Sequence, residues 1–568
     1  MKKIFYYLFI CFGVVSLFSC NNNNSTKEPT PEKTPTEEVS YNKNAESNLE
    51  ENVDFISHAA TYDGTKFSYD QSKWYVNNLD KVPLPDPHIY HEDGVFYIVG
   101  TCDMSTDIIA CYTTTDFNTF EYGGEIYNPK KYGGWENSKP QIYAPEMYCF
   151  DGVYYLYYSA LTKASVRENS VVWATSPLGP YEPIVNDEVD GLNNPLFLDK
   201  NDTNAVLDST IFVDDDNTMY MYYSVANWEG QHVVGVKLNN PYSADFSTYT
   251  ELVKPGYLDS TFTDKPLEWE EYREKNHIAE APYMIKSNGK YYLTYSVNGC
   301  WNKYYNVCYA VSDTPLGNFV KPYEEGKLWT NLLLGYPGDK DDMSLIYLQW
   351  SGFASGTGHH CFFNIGDDVM IGYHAHQNRD WNSDSAYTRR FVAIDYLYFD
   401  KDGVPFVNGP TWSIQPLPFG ISGYKNIALN ATIKSQNVTG VEYVNDNYIE
   451  DCYNLVEGTP KEVSLGEGYS YIELVFDKEY EIGGIAIYNS AFYEKMIEEV
   501  AYIDFDNGNA VIYPQYCIEK YVDYDLEFIH PGTAITVEFN KSFTASRVVI
   551  CFKTSALASI NEIKVLGK

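Results

Sequence analysis

Pro85-Asp86-Pro87-His88-Ile89, then Asp93-Gly94, then Val95-Phe96-Tyr97-Ile98-Val99 is the phrase on which the fold turns. Asp-Gly between two β-rich runs signals a tight hairpin, because both turn positions need φ > 0. The phrase therefore reads as an acid at a proline-bounded corner, a strand, a hairpin and a second strand. It recurs as Ala144-Pro145-Glu146-Met147 with Asp151-Gly152 and Val153 to Tyr158. The third copy is Leu207-Asp208-Ser209-Thr210, then Asp214 to Asn217, then Met219 to Tyr223. The fourth is Ala279-Glu280-Ala281-Pro282-Tyr283 with Asn288-Gly289 and Lys290 to Tyr295. The fifth is Gly356-Thr357-Gly358-His359-His360 with Gly366-Asp367 and Val369 to Tyr373.

From Asp86 the special residue returns after 60 positions at Glu146, then after 62 at Asp208, 72 at Glu280 and 79 at His359. Each interval holds four short strands and a variable loop. Repeats of this length that cannot bury their faces alone close around an axis, and five of them predict a five-bladed β-propeller over 78–415. A two-sheet sandwich does not explain why the same corner opens every unit. The reading places the four carboxylates and the histidine in one register, converging near the axis. Asp-Gly and Asp-Pro pairs are common turn formers, so a single corner carries little; five in order carry more.

Composition narrows the partner. The 568 residues contain 40 Lys+Arg against 78 Asp+Glu, a formal net charge of −38. Phosphate neutralisation needs a basic footprint, which excludes a nucleic-acid binder, and charge does not hold this chain to an anionic bilayer. Aromatic residues make up 16 %, with 54 tyrosines. Carboxylates for hydroxyls and rings for C–H faces suit carbohydrate.

Lys2 and Lys3, the apolar run Ile4 to Phe18, and Leu17-Phe18-Ser19-Cys20 read as a bacterial lipoprotein signal, 1–20, with Cys20 lipidated. Several acyl chains on one cysteine give stable anchoring. The expected location is the outer membrane, on its periplasmic or cell-surface side. Residues 21–55, rich in Asn, Thr, Pro and Glu, read as a disordered tether. Nine further cysteines show no zinc-like spacing, and the odd count leaves at least one unpaired. Beyond a Pro- and Gly-rich connection, 424–568 carries recurrent β-rich runs such as Tyr471 to Phe476 and Ile485 to Tyr488. These predict a C-terminal β-sandwich, so the chain is all-β throughout. Its opening Asn426 to Thr432 and closing Asn561 to Gly567 resemble a discoidin-type, galactose-binding-like domain.

Over about 80–415 the motifs resemble glycoside hydrolase family 43. Asp86-Pro87, Tyr143-Ala144-Pro145-Glu146, Leu207-Asp208-Ser209, Glu280-Ala281-Pro282 and Gly356-Thr357-Gly358-His359 fall where that family has its blade motifs, with prolines missing after Asp208 and before Gly358. The resemblance implies Asp86 as general base, Glu280 as general acid and Asp208 as the group that sets the acid's pKa. If the missing proline marks a displaced motif, Asp202 or Asp214 takes that third place. The resemblance also implies an inverting hydrolase of arabinose- or xylose-containing polysaccharide or oligosaccharide, first an α-L-arabinofuranosidase, with β-xylosidase and endo-arabinanase as alternatives. A catalytically silent glycan-binding lipoprotein is the competing class. No cofactor is required for the chemistry; a structural calcium near the axis, contacting His359 through water, is implied by the family. Glu146, Trp228, Trp301, Phe353 and Arg379 are expected to bind substrate, and Trp135 to help wall the pocket. The long insertion between Glu229 and Glu280 is expected to help close a pocket.

Overall fold

The structure is a computed structural model. It describes residues 55–58, 69–77, 81–102, 105–197, 204–227, 230–271, 277–301, 304–325, 330–335, 354–377, 389–411, 413–449, 461–490 and 534–568, with short pieces between 495 and 527. Trp228, Phe353, Arg379, Cys20, Asp202, Cys452 and Cys517 lie outside the described residues.

Five separate four-stranded antiparallel sheets follow one another along the chain. Their first strands are His88–Glu92, Tyr143–Phe150, Ala205–Val213, Ala279–Ser287 and Ala354–Ile365. Each first strand packs against that of the next blade, and the fifth packs against the first, so the ring is closed. Closure leaves no inner edge to pair with another chain.

The hairpins form as their dipeptides dictate. Asp93 and Gly94 have φ of 51° and 78°, Asp151 and Gly152 52° and 76°, Asn288 and Gly289 49° and 74°. Blade V turns on Gly366 (φ 62°) and Asp367, pairing Ile365 with Asp368. Blade III uses the longer turn between Val213 and Met219. Inner faces of the blades are filled by alternating side chains such as Phe96, Leu156, Met221, Leu293 and Ile371.

The C-terminal domain is one ten-stranded sheet that folds over its own core. Its two long strands, Gly468–Asn489 and Ala534–Thr554, pair with each other along most of their length. The first half of Gly468–Asn489 also pairs with Thr432–Gln436 and its second half with Ala558–Gly567, which carries the strand from one layer to the other. Ile472, Leu474, Ile485, Ile487, Val548, Ile550 and Ile563 fill the space between. Phe55–His58 pairs with Thr536 to Phe539, so the last residue assigned to the tether, Phe55, belongs to this sheet.

Propeller and C-terminal domain lie within one compact unit. They share a core in which Trp74, Phe391 and Ile414 meet Tyr424, Ile449, Ala486, Tyr488 and Leu566. Among the described residues no helix is long and apolar enough to cross a membrane.

Candidate active site

The corner that opens each blade is a single residue in the left-handed region: Asp86 (φ 57°), Ala144 (45°), Asp208 (56°), Ala281 (52°) and His359 (44°). This corrects the expected register. Asp86, Asp208 and His359 occupy the corner itself, whereas Glu280 stands one residue before it and Glu146 two after. In blades II to V the corner breaks the pairing of the first strand with the second, between Tyr143 and Glu146, Leu207 and Thr210, Glu280 and Tyr283, and around Gly358. A bulge of this kind re-aims side chains out of the alternating pattern. It turns Glu280 inward although its sequence position differs from that of the two aspartates.

A non-glycine residue at positive φ is strained and must be held. The preceding blade supplies the hold. Ala144 N–H donates to Thr101 Oγ1 at 2.9 Å, Ala281 N–H to Ser224 Oγ at 3.2 Å and His359 N–H to Ser296 Oγ at 2.9 Å. At the junction of blade V with blade I the acceptor is an imidazole: Asp86 N–H donates to His374 Nδ1 at 3.1 Å.

Asp86 is buried and surrounded by cationic and donor groups. Arg390 Nη1 lies 3.0 Å from Oδ1, His359 Nδ1 3.4 Å from the same oxygen, and Thr101 Oγ1 donates to Oδ2 at 2.6 Å. Burial works to raise its pKa, but Arg390, and after it His359, outweigh burial and hold the carboxyl well below the usual range. It is ionised at any working pH. Glu280 is pushed up to about 7, first by burial and then by the charge of Asp86, against the hydrogen bond from Tyr305 and the charge of Arg390. Tyr305 Oη donates to Glu280 Oε1 at 2.9 Å. Asp208 also rises to about 7, through burial and the charges of Glu280 and Asp86, opposed by His359 and Arg167. The arrangement is therefore one fixed carboxylate beside two carboxyls that exchange protons near neutrality. Asp214 is bound to Lys286 Nζ at 2.6 Å in the blade III turn, so it does not take the place of Asp208.

Other expectations fare differently. Glu146 is buried; it accepts a hydrogen bond from Tyr148 Oη, and burial raises it to about 8. It belongs to an axial cluster with His88, Tyr148, Thr210 and Tyr283. Trp135 is core, 5 % exposed and stacked on Tyr158. Trp301 is 42 % exposed on the loop that carries Cys300, whose thiol feels the charges of Glu280, Asp86 and Asp208. Nearly half of the insertion after Glu229 forms the outer strands Gly230–Asn240 and Ser243–Val253 of blade III. The segment that follows braces blade IV, where Glu270 pairs with Lys321 and accepts from Tyr295 Oη at 2.9 Å and Asn331 Nδ2 at 2.7 Å.

His359 fits a role on Asp86 better than one on calcium. A hard cation takes a cage of oxygens, whereas here the neighbouring carboxylate already holds Arg390. Among the described residues no group of three or more His, Cys, Asp or Glu side chains is gathered to hold a metal ion. All seven described cysteines are free thiols.

Arg390, His374, Tyr305, Thr101 and Arg167 were not singled out from the sequence. Arg390 opens the run Arg390 to Asp395, and a charged residue heading an otherwise buried strand is a signal that it faces something inside. Arg167 lies over the Tyr143 ring at 3.9 Å and donates to Gln141 O at 2.8 Å.

A closed ring of blades that gathers an ionised carboxylate and two protonatable ones at its axis is the scaffold of a glycoside hydrolase. Residues 75–405 match the family model described as Glycosyl hydrolases family 43, and the chain belongs to that family. It is 27 % identical over 258 residues to a Beta-D-galactofuranosidase of Aspergillus niger, covering 44 % of this chain and 57 % of that protein. It is 26 % identical over 256 residues to Xylosidase/arabinosidase 43A of Humicola insolens, covering 38 % and 73 %. The chain thus spans little more than half the length of the first of these relatives. Among solved structures, an Endo-1,4-beta-xylanase of Bacteroides thetaiotaomicron superposes with a TM-score of 0.45 at 26 % identity, covering 60 % of this chain and 98 % of that one.

Proposed function

We propose that the chain is an inverting exo-hydrolase of arabinose-containing polysaccharide, removing α-L-arabinofuranosyl groups. The observation that carries this reading is the split between Asp86, held ionised, and Glu280, held protonated up to about pH 7. Two carboxyls with opposed protonation states divide the work of base and acid. Asp86 takes a proton from water as its oxygen attacks the anomeric carbon. Glu280 gives its proton to the glycosidic oxygen as that bond breaks. Arg390, His359 and Thr101 keep Asp86 oriented between turnovers. Trp301 offers a ring face for the sugar beyond the cleaved bond.

Relatives named for arabinosidase, xylosidase and galactofuranosidase activity support a pentose or furanose substrate. A β-D-galactofuranoside matches an α-L-arabinofuranoside around the ring and carries one further exocyclic carbon. Initial rates on nitrophenyl α-L-arabinofuranoside, β-D-xyloside and β-D-galactofuranoside, and on branched and debranched arabinan, test the choice. Preference for the arabinofuranoside and for branched arabinan is expected. Faster release of oligomers from debranched arabinan identifies an endo-arabinanase instead. Proton NMR of the first sugar formed is expected to show the inverted anomer.

The same proposal places the enzyme on the bacterial outer membrane through a lipid on Cys20. Incorporation of labelled palmitate, lost in Cys20→Ala, tests it.

A further inference from the structure

We propose that His374 and Tyr305 form a stacked strut that sets Asp86 and Glu280 relative to each other, so that both are positioning residues for the reaction. The inference rests on reading those carboxylates as base and acid. Three other corners are held by a serine or threonine hydroxyl from the preceding blade. A hydroxyl is sufficient to accept one N–H. Among these four corner bonds the one at Asp86 has a histidine as acceptor, and the larger ring reaches something a hydroxyl does not. Its plane lies on the ring of Tyr305, centroids 5.4 Å apart and planes within 8°. The far end of Tyr305 donates to Glu280 Oε1 at 2.9 Å. One unbroken path therefore runs from the backbone of the base, through two buried rings, to the carboxyl of the acid. Both rings are buried, His374 at 0 % and Tyr305 at 0 % exposure.

The tyrosine has no room to drift. A Cβ on Gly358 would stand 2.3 Å from its Cδ1, so Gly358 is flush against Tyr305. Burial drops His374 to about 3, so the imidazole is neutral and its Nδ1 lone pair is available to the Asp86 N–H. The acidic and basic groups acting on Glu280 are Asp86, Arg390, Asp208 and the Cys300 thiol, besides Tyr305. Of these only Tyr305 hydrogen-bonds it. Misplacing a catalytic group by about 1 Å costs on the order of 100-fold in rate.

Other blades suggest the variant: His374→Ser installs the hydroxyl used at their corners, so the corner keeps an acceptor while the stack is lost. Tyr305→Phe keeps the ring and removes its hydroxyl. Steady-state kinetics across pH are measured on an unactivated arabino-oligosaccharide for the parent, both single variants and the double variant. Both singles are expected to lose kcat by about 10- to 100-fold with KM changed by less than about threefold. In both, the basic limb moves to higher pH, because the bond from Tyr305 holds the Glu280 pKa down. The double variant is expected to lose little more than the worse single, since the two residues act in series. Losses that multiply, or a parent-like kcat and limb in Tyr305→Phe, overturn the strut. Should His374→Ser fold poorly by circular dichroism, Gly358→Ala takes its place, pushing Tyr305 from the other side with the same expected shift. Glu280→Gln runs alongside: if it retains activity on the same substrate, the acid assignment has failed and not the strut.

Discussion

Asp86 and Asp208 share a residue type and a backbone conformation, yet one is held ionised while the other rises to about 7. Arg390 makes the difference, pairing with Asp86 and leaving Asp208 to face Glu280 across the site. Coulomb repulsion between Asp208 and Glu280 is mutual, so the pair loses its protons in two macroscopic steps. The base needs its proton off and the acid needs its proton on. Activity should therefore persist well into acid, because Asp86 titrates below the usual range, and fall as pH rises through about 7 as Glu280 deprotonates. Asp208→Asn removes a neighbouring negative charge, so the basic limb is expected to move to lower pH. An unmoved limb would show that burial and Asp86 alone raise Glu280. The leaving group tests Glu280 separately. Nitrophenolate departs with little protonation, so Glu280→Gln should cost a natural sugar leaving group on the order of 100-fold more than a nitrophenyl glycoside. Asp86→Asn should cost both alike.

Three of the blade corners are held by single hydroxyls, and Thr101 has two tasks at once. Its Oγ1 accepts from Ala144 N–H and donates to Asp86 Oδ2. Ser224 holds only the Ala281 N–H among the bonds described. Ser224→Ala leaves that buried donor unpaired and should cost about 1–3 kcal/mol in urea unfolding. Thr101→Val is nearly isosteric; it should cost a similar amount and also lower kcat, because Asp86 loses its shortest hydrogen bond. Equal kinetic effects in the two variants would separate Thr101 from the base. This scale also shows what could be read from the chain. Hairpins at Asp93-Gly94, Asp151-Gly152 and Asn288-Gly289 were legible because their φ demands are local. The five corners were legible as a repeat. Their register was not, since a bulge decides which side chain turns inward, and Glu280 faces the axis only because Ala281 is left-handed. Arg390, His374 and Tyr305 were missed for a related reason: they reach Asp86 and Glu280 from strands or loops that are distant in sequence or belong to another blade. Trp135 was misjudged because exposure of a ring is a tertiary property.

Propeller and C-terminal domain are expected to behave as one cooperative body. Chains of two domains usually unfold in steps, since each domain owns its core. Here the boundary is a core. Trp74 is fully buried, and a Cβ on Gly484 of the C-terminal sheet would come within 2.4 Å of its Cζ2. Tyr488 Oη donates to Gln415 Oε1 at 2.7 Å, Ala534 N–H to Ser413 Oγ at 3.1 Å, and Lys564 Nζ to Tyr398 Oη at 2.8 Å. Trp74–Tyr75 pairs with Gln415–Pro416, so the strand entering the propeller and the one leaving it are clasped at the same boundary. Cutting the chain near residue 415 would strip Phe391 and Ile414 of their cover and leave Gln415 without its partner. The isolated propeller should therefore aggregate or unfold well below the temperature at which the whole chain melts. Trp74→Ala should remove about 3–5 kcal/mol. In calorimetry the parent is expected to show one transition for both domains, and Trp74→Ala to lower that transition without splitting it. Two resolved transitions in the parent, or a truncated propeller that melts with the whole chain and keeps full kcat, would mean that the shared core contributes contact without cooperativity.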